Sequence, residues 1–163
     1  FLFSANIAQN IAFGVDKASQ KEIEQAAINA HVHENILEFP EKYQTKVGER
    51  GVTLSGGQKQ RVSIARAIIK KPPLLIFDDC LSAVDTETEE RILRNLDQLI
   101  EQSTSLIISH RISSVKKADR ILVLDQGRVI EEGNHQELME KNGYYRSMYE
   151  QQLQEEQEGS LSA

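Results

Sequence analysis

The stretch that decides the fold consists of four apolar residues and two aspartates, Leu74-Leu75-Ile76-Phe77-Asp78-Asp79. A short continuous apolar run is typical of a strand that is buried on both faces, as in a parallel sheet. Leu106-Ile107-Ile108 repeats this pattern, and an amphipathic helix pattern over residues 86–102 separates the two runs. The order strand, helix, strand predicts an α/β fold, in which ligands bind where strands end. Asp78, Asp79 and His110 fall at such strand ends.

Upstream of this unit the sequence predicts helices. Ser19 and Glu22 have the spacing of a capping box, which predicts a helix over residues 20–30. Ser55 is suited to cap a second helix, because apolar residues then recur on one face at helical spacing. Residues 7–14 mix apolar and polar positions without a clear period, so no element is predicted there.

Downstream, an apolar run over residues 121–124 is followed by Gln126-Gly127, which predicts a tight hairpin. Amphipathic patterns then predict two further helices, at residues 135–140 and 144–153. The tail, residues 154–163, is polar, acidic and poor in apolar side chains, so we predict that it is disordered.

Length and composition exclude several classes of protein. A chain of 163 residues with 39% hydrophobic content can bury one ordinary core. Acidic residues outnumber basic ones by 25 to 19 without a long basic stretch, so nucleic acid is not an expected partner. Cys80 is the single cysteine, which indicates a reducing compartment. No apolar run approaches the roughly 20 residues that span a bilayer, and the start at Phe1 suggests a cut end.

The strongest motif covers residues 54–61, Leu-Ser-Gly-Gly-Gln-Lys-Gln-Arg, at the opening of a predicted helix. Glycines let backbone N–H groups approach an anion, and the helix N-terminus adds a positive partial charge. From these residues alone, a phosphate-binding turn and an ordinary serine-capped helix are both open.

This motif resembles the signature motif of the ATP-binding-cassette (ABC) family in every position. The resemblance continues in unbroken order from Phe1 to about Leu153. It implies a partial P-loop nucleotide-hydrolase fold, RecA-like with a parallel sheet and flanking helices, plus an α-helical signature subdomain. The implied domains are the signature subdomain at residues 1–71 and the C-terminal part of the RecA-like core at residues 72–153, ahead of the tail.

In the family the signature motif acts across a dimer interface. The resemblance implies that four residues contact an ATP held by a second nucleotide-binding domain in a head-to-tail dimer: Ser55, Gly56, Gly57 and Gln58. The run Leu81-Ser82-Ala83-Val84-Asp85 resembles the D-loop, so Asp85 would face the same interface. Asp85 is also suited to cap the helix that follows.

The acidic pair looks like the Walker B element. The resemblance implies that Asp78 holds Mg²⁺ and that Asp79 acts as general base or orients the attacking water. Active family members usually have glutamate at the second position. Aspartate is one methylene shorter, and a misplacement of about 1 Å costs catalysis on the order of a hundredfold. We therefore expect weak hydrolysis at this subunit's own site, as in heterodimeric exporters with one degenerate site. An acidic pair of this kind could also be a solvated strand end, but its position between the signature-like motif and the next motif favours the Walker B interpretation.

Ser109-His110-Arg111 resembles the switch-histidine motif. The imidazole of His110 would hydrogen-bond the γ-phosphate and orient the attacking water. An isolated histidine is more often a surface or core residue, and we keep that interpretation for His31, His33 and His135.

Thr45 to Gly51 resembles the loop with which exporter-type cassettes contact their transmembrane domain. Glu49 and Arg50 within it could equally be a solvated pair. The resemblance therefore implies a transmembrane partner and a position at the cytoplasmic face of the membrane. The second nucleotide-binding domain would be a like or an unlike chain.

A Walker A loop requires Gly-Lys-Ser/Thr, and none of the nine glycines is followed by lysine. We therefore expect the chain alone to hydrolyse no ATP, and the full-length protein to be an exporter driven by ATP and Mg²⁺. Two alternatives stay open. A soluble ABC-family ATPase of translation or DNA maintenance is disfavoured by the exporter-like loop and the acidic balance. A non-hydrolytic interaction domain derived from a cassette is suggested by Asp79 and the missing Walker A loop.

Overall fold

The computed structural model describes residues 2–48, 51–80, 83–84, 86–100 and 103–161. The helices in this part of the chain are α1 (Ile7–Ile11), α2 (Gln20–Asn29), α3 (His33–Leu37), α4 (Gly56–Ile68), α5 (Thr86–Ile100), α6 (Ile112–Val115), α7 (His135–Glu140) and α8 (Tyr144–Leu161). The strands are β1 (Leu74–Asp78), β2 (Thr104–Ile108), β3 (Ile121–Asp125) and β4 (Arg128–Gly133). Among the described residues, no helix has the length and apolar character that a membrane crossing requires.

The chain divides into two compact units, Phe1–Ile108 and Ser109–Ala163. The boundary that the sequence predicts between residues 71 and 72 stays a prediction. In the structure, Leu75 and Phe77 of β1 belong to the same buried cluster as the apolar residues of α1, α2 and α4. The first strand therefore shares a core with the helices that precede it.

The short helix α1 lies where the sequence shows no period. Asn6 and Gln9 form a capping box at its start, with side chain and backbone paired in both directions. Asn10 is fully buried, and its side chain accepts from Phe3 N at 2.9 Å and donates to Asn6 O at 3.1 Å. A buried polar residue in a helix of five residues hides the apolar pattern, so only the capping spacing could have revealed this helix.

Strands β1 and β2 pair in parallel, from Leu74 opposite Thr104 to Asp78 opposite Ile108. This pairing confirms the predicted α/β fold. The predicted burial on both faces of the strands is wrong, because exposure alternates along β1. Leu75 and Phe77 are buried, whereas Leu74 and Ile76 are 53% and 59% exposed. A continuous apolar run does not indicate whether other elements cover one face of a strand or both. In the described part of the chain, only one face of this strand pair is covered.

The second unit is built on the hairpin of β3 and β4, which confirms the predicted turn. Gln126 and Gly127 have positive φ values of 46° and 74°, as a two-residue hairpin turn of type I′ requires. Behind the hairpin, Leu138 and Tyr145 are buried with the inward-facing residues of β3. The His135 ring nitrogen Nδ1 lies 2.8 Å from Tyr145 Oη, and burial raises the pKa of Tyr145 to about 12.

Helix α8 continues through Leu161, so the predicted disorder from residue 154 onwards is wrong over residues 154–161. Gln and Glu are favourable helix residues, and pairs four apart support the helix. Gln151 donates to Glu155 at 3.0 Å, and Arg146 forms an ion pair with Glu150 at 2.7 Å. The tail is poor in apolar residues, but helix propensity and side-chain pairing extend a helix that is already nucleated.

Candidate functional site

The first turn of α4 has the capped geometry that the sequence predicts. Ser55 is extended, and its hydroxyl accepts from Gln58 N at 3.2 Å. Gln58 Oε1 in turn accepts from Ser55 N at 3.0 Å, which completes a capping box. Helix geometry provides no intrahelical acceptor for the N–H groups of Gly56 and Gly57. These N–H groups and the helix dipole together favour an anion at this end of α4.

The two glycines differ in their surroundings. A Cβ on Gly57 would lie 3.0 Å from Ala83 O and 3.4 Å from Val84 Cγ1, whereas one on Gly56 would lie 3.8 Å from Ala83 Cβ. The Gln60 side chain accepts from Ala83 N at 3.1 Å. Residues 83–84 are the described part of the D-loop-like run, and they pack directly on the start of α4.

A cleft of about 790 Å³ opens beside this turn. It has the size of a small-ligand site. Its lining includes Ser55, Gly56 and Gly57 from α4, residues of the α2–α3 region and residues of α5. Gln58 is not among the lining residues, because its side chain is turned back to the capping box. Three of the four predicted signature contacts are therefore brought together at one cleft.

Arg61 connects the signature turn to one wall of this cleft. Its guanidinium donates to His31 O at 2.9 Å and to Gly57 O at 3.4 Å. His31, which provides this carbonyl, has a positive φ of 53°, a backbone conformation that is uncommon for residues other than glycine. Sequence reasoning missed the roles of Gln60 and Arg61. Both lie in the signature-like stretch, but their partners are 23 and 30 residues away, and no local pattern identifies them.

Asp78 is the last residue of β1, and Asp79 follows it; both are exposed. Asp79 has a left-handed φ of 47°, and its N–H donates to Ile108 O at 2.9 Å. The end of β1 therefore presents two consecutive carboxylates to solvent. Among the described residues, no group of three or more metal-binding side chains is present. Mg²⁺ does not require one, since it commonly binds through one or two carboxylates, waters and substrate phosphates.

Cys80 lies beside these carboxylates but is packed against the buried core of the first unit. Burial, and to a lesser degree the negative charges of Asp79, Glu89 and Asp78, raise the pKa of the Cys80 thiol to about 11. The thiol is therefore neutral at physiological pH, and it is not a nucleophile of this site.

His110 is exposed and lies at the start of the second unit. Its carbonyl accepts from the Gln152 side chain at 2.7 Å. Since Asp78 and Asp79 belong to the first unit, the expectation that His110 joins them in one site stays a prediction.

The loop from Thr45 to Gly51 is anchored at its first residue, because Thr45 O accepts from Ile7 N at 3.1 Å. Thr45 and Val47 are buried, and Lys46 between them is exposed. A Cβ on Gly51 would lie 2.2 Å from Lys46 O, so a glycine is required there. Glu49, Arg50 and Asp85 lie outside the described residues, and the roles predicted for them stay predictions.

The first unit is thus an α/β domain with a parallel strand pair that ends in two carboxylates and a glycine-opened helix beside a cleft. Residues 3–82 match the family profile described as ABC transporter. The multidrug resistance-like ATP-binding protein MdlA of Buchnera aphidicola is 52% identical over 153 residues, which cover 93% of this chain and 26% of that protein. The ATP-dependent lipid A-core flippase of Pseudomonas fluorescens is 48% identical over 155 residues, covering 94% and 26% respectively.

The solved structure of a bacterial Atm1-family ABC exporter with ATP bound superimposes with a TM-score of 0.84 and 46% identity. The superposition covers 93% of this chain and 26% of that chain. The chain therefore belongs to the ABC transporter family, and it has the fold of part of an exporter nucleotide-binding domain. It spans about a quarter of the length of these relatives.

Proposed function

We propose that this chain is the C-terminal portion of the nucleotide-binding domain of an ABC exporter. In the full-length protein, ATP hydrolysis in a head-to-tail pair of such domains drives transport across a membrane. The observation that carries this proposal is the capped first turn of α4, whose residues Ser55, Gly56 and Gly57 line an open cleft. The names of the relatives support the exporter assignment over a soluble ATPase.

The first turn of α4 acts on a nucleotide that the partner domain holds. The N–H groups of Gly56 and Gly57 and the Ser55 hydroxyl donate to phosphate oxygens, and the helix dipole adds to the attraction. Gln58 joins them once its side chain leaves the capping box. Asp85 contacts the same interface from the D-loop-like run.

Asp78 would hold Mg²⁺, and its exposed position at the end of β1 fits an ion that keeps several waters. Held there, the ion would supply charge neutralisation at the phosphates. Asp79 accepts a proton from the attacking water or orients it, and His110 donates to the γ-phosphate. No part of this chain supplies the Walker A residues, so the chain alone hydrolyses no ATP.

The transmembrane domain contacts this chain through the loop from Thr45 to Gly51, at the cytoplasmic face of the membrane. The described ends of the loop suit it to transmit force, since Thr45 O accepts from Ile7 N at the start of α1 and Gly51 lies close against Lys46 O. The second nucleotide-binding domain is a like or an unlike chain, and Asp79 favours an unlike one.

The test is a pair of substitutions at Ser55 in the full-length protein. Asp and Asn both cap helices well, so Ser55→Asp and Ser55→Asn keep the helix start intact. Only Ser55→Asp places a negative charge against the triphosphate. We expect it to lower the rate of ATP hydrolysis about a hundredfold or more, and Ser55→Asn to lower it far less.

Ser63→Ala, on the same helix, is the control and should leave hydrolysis unchanged. Equal rates of ATP hydrolysis by the Ser55→Asp and Ser55→Asn proteins, at equal thermal stability, would refute the proposed nucleotide contact.

A further inference from the structure

Gln152 of α8 holds the backbone on both sides of Arg111. Its Nε2 group donates to His110 O at 2.7 Å, and its Oε1 atom accepts from Ile112 N at 2.9 Å. Both ends of one carboxamide are therefore bonded to the segment that carries the switch-histidine motif. No local sequence pattern indicates this contact, because Gln152 lies 40 residues after Ile112.

The contact replaces a missing helix cap. Arg111 occupies the N-cap position of α6 and makes no side-chain capping bond. The N–H of Ile112, at the first position of α6, is one of the donors for which a helix provides no intrahelical acceptor, and Gln152 supplies one. On the other side, Ser109 Oγ accepts from Arg111 N at 3.0 Å and lies 3.2 Å from Ser114 Oγ. The backbone around His110 is thus fixed from two directions.

Helix α8 is itself held firmly where it carries Gln152. The carboxylate of Glu131 accepts from Tyr144 N at 2.7 Å and from Tyr145 N at 2.9 Å. Tyr145 is buried, and Met148 and Tyr149 pack against the same cluster. Gln152 follows them at helical spacing, so it lies on the packed stripe of the helix.

We propose that Gln152 is a positioning residue for His110. The proposal rests on the function given above, in which His110 acts on the γ-phosphate. By fixing the His110 carbonyl and the Ile112 N–H, Gln152 sets the direction in which the imidazole leaves the backbone. Helix α8 is then part of the hydrolytic apparatus, and a displacement of α8 changes the position of His110.

The experiment compares variants of the full-length protein in steady-state ATP hydrolysis. Gln152→Leu removes both hydrogen bonds at similar side-chain size. Gln152→Glu keeps the acceptor for Ile112 N and removes the donor to His110 O. The control position is Gln154, which is exposed on the same helix, with the same two substitutions. Hydrogen exchange of the Ile112 amide reports the contact directly.

We expect Gln152→Leu to lower kcat about five- to tenfold with KM for ATP changed by less than about twofold, because misplacement of a catalytic group affects the chemical step. Gln152→Glu should also lower kcat while it preserves slow exchange at Ile112. The Gln154 variants should match the unsubstituted protein in both measurements. If Gln152→Leu does not fold, the Gln152→Glu result decides, since that variant retains the helix cap.

Two results would overturn the proposal. One is a Gln152→Leu or Gln152→Glu kcat equal to that of the matching Gln154 variant. The other is a change confined to KM. A parallel His110→Ala variant separates this proposal from the one on which it rests. Unchanged kcat in His110→Ala refutes the role of His110, whereas a large loss there with normal Gln152 variants refutes only the positioning role.

Discussion

Substituting Gly57 tests whether the start of α4 and the D-loop-like run must pack closely. Neither Gly56 nor Gly57 has a positive φ, so alanine meets no backbone strain at either position. Alanine also gains about 0.5–1 kcal/mol over glycine within a helix. The two positions then differ mainly in what the new Cβ atom contacts.

At Gly56 the new Cβ lies at an ordinary 3.8 Å from Ala83 Cβ, so we expect Gly56→Ala to be neutral or slightly stabilising. At Gly57 it lies 3.0 Å from a backbone oxygen that cannot rotate away, and Gln60 holds the adjacent Ala83 N–H. Overpacking of this kind costs about 1–3 kcal/mol. After the helix gain is subtracted, Gly57→Ala should destabilise the domain by about 1 kcal/mol.

The assay is urea unfolding of the complete nucleotide-binding domain, because the midpoint reports stability when the slope is unchanged. Gly57→Ala should have a lower midpoint than Gly56→Ala at equal slope. It should also hydrolyse ATP more slowly in the full-length protein, because residues 83–84 must move away. Equal midpoints for the two variants, or a higher one for Gly57→Ala, would refute the argument from close packing.

Asp79→Glu should raise the ATP turnover of the full-length protein about tenfold or more, because the longer side chain reaches the attacking water. Phosphate release measures this turnover, and an unchanged rate would contradict the role given to Asp79. Cys80 should react with iodoacetamide about a hundredfold more slowly at pH 8 than a cysteine in the unfolded chain, and faster as the pH approaches 11. Since folding raises the pKa of Cys80, its neutral form contributes stability below the unfolded pKa, and that contribution is lost as pH rises towards 11. The purified chain by itself should show no Mg²⁺-dependent ATP hydrolysis. Measurable hydrolysis that the His110→Ala substitution abolishes would refute this prediction.

Features set by neighbouring residues are predictable from this sequence. The capping box of α2, the Ser55 cap of α4 and the hairpin turn all depend on residues within four positions of one another, and each is found as predicted. The position of Asp78 and Asp79 at the end of β1 follows from the same local reasoning. The signature-like turn is therefore recognisable from its own residues.

Features that depend on distant residues are not predictable in this way. The exposed face of β1 depends on which elements cover it, and an apolar run is the same in either case. The bonds from Gln60 to Ala83 and from Gln152 to His110 join residues 23 and 42 positions apart. Any glutamine side chain can form such hydrogen bonds. The fold alone shows that Gln60 and Gln152 form them.

Asp79 has a left-handed backbone conformation. Substitutions that raise activity at this position should therefore lower stability. Aspartate tolerates that conformation better than glutamate does, because its short side chain bonds locally. A glutamate here would extend towards the nucleotide and would also strain the link between β1 and the D-loop-like run. Variants selected for faster turnover at residue 79 should therefore melt at lower temperature, and compensating changes should arise where the Asp79 N–H meets the end of β2.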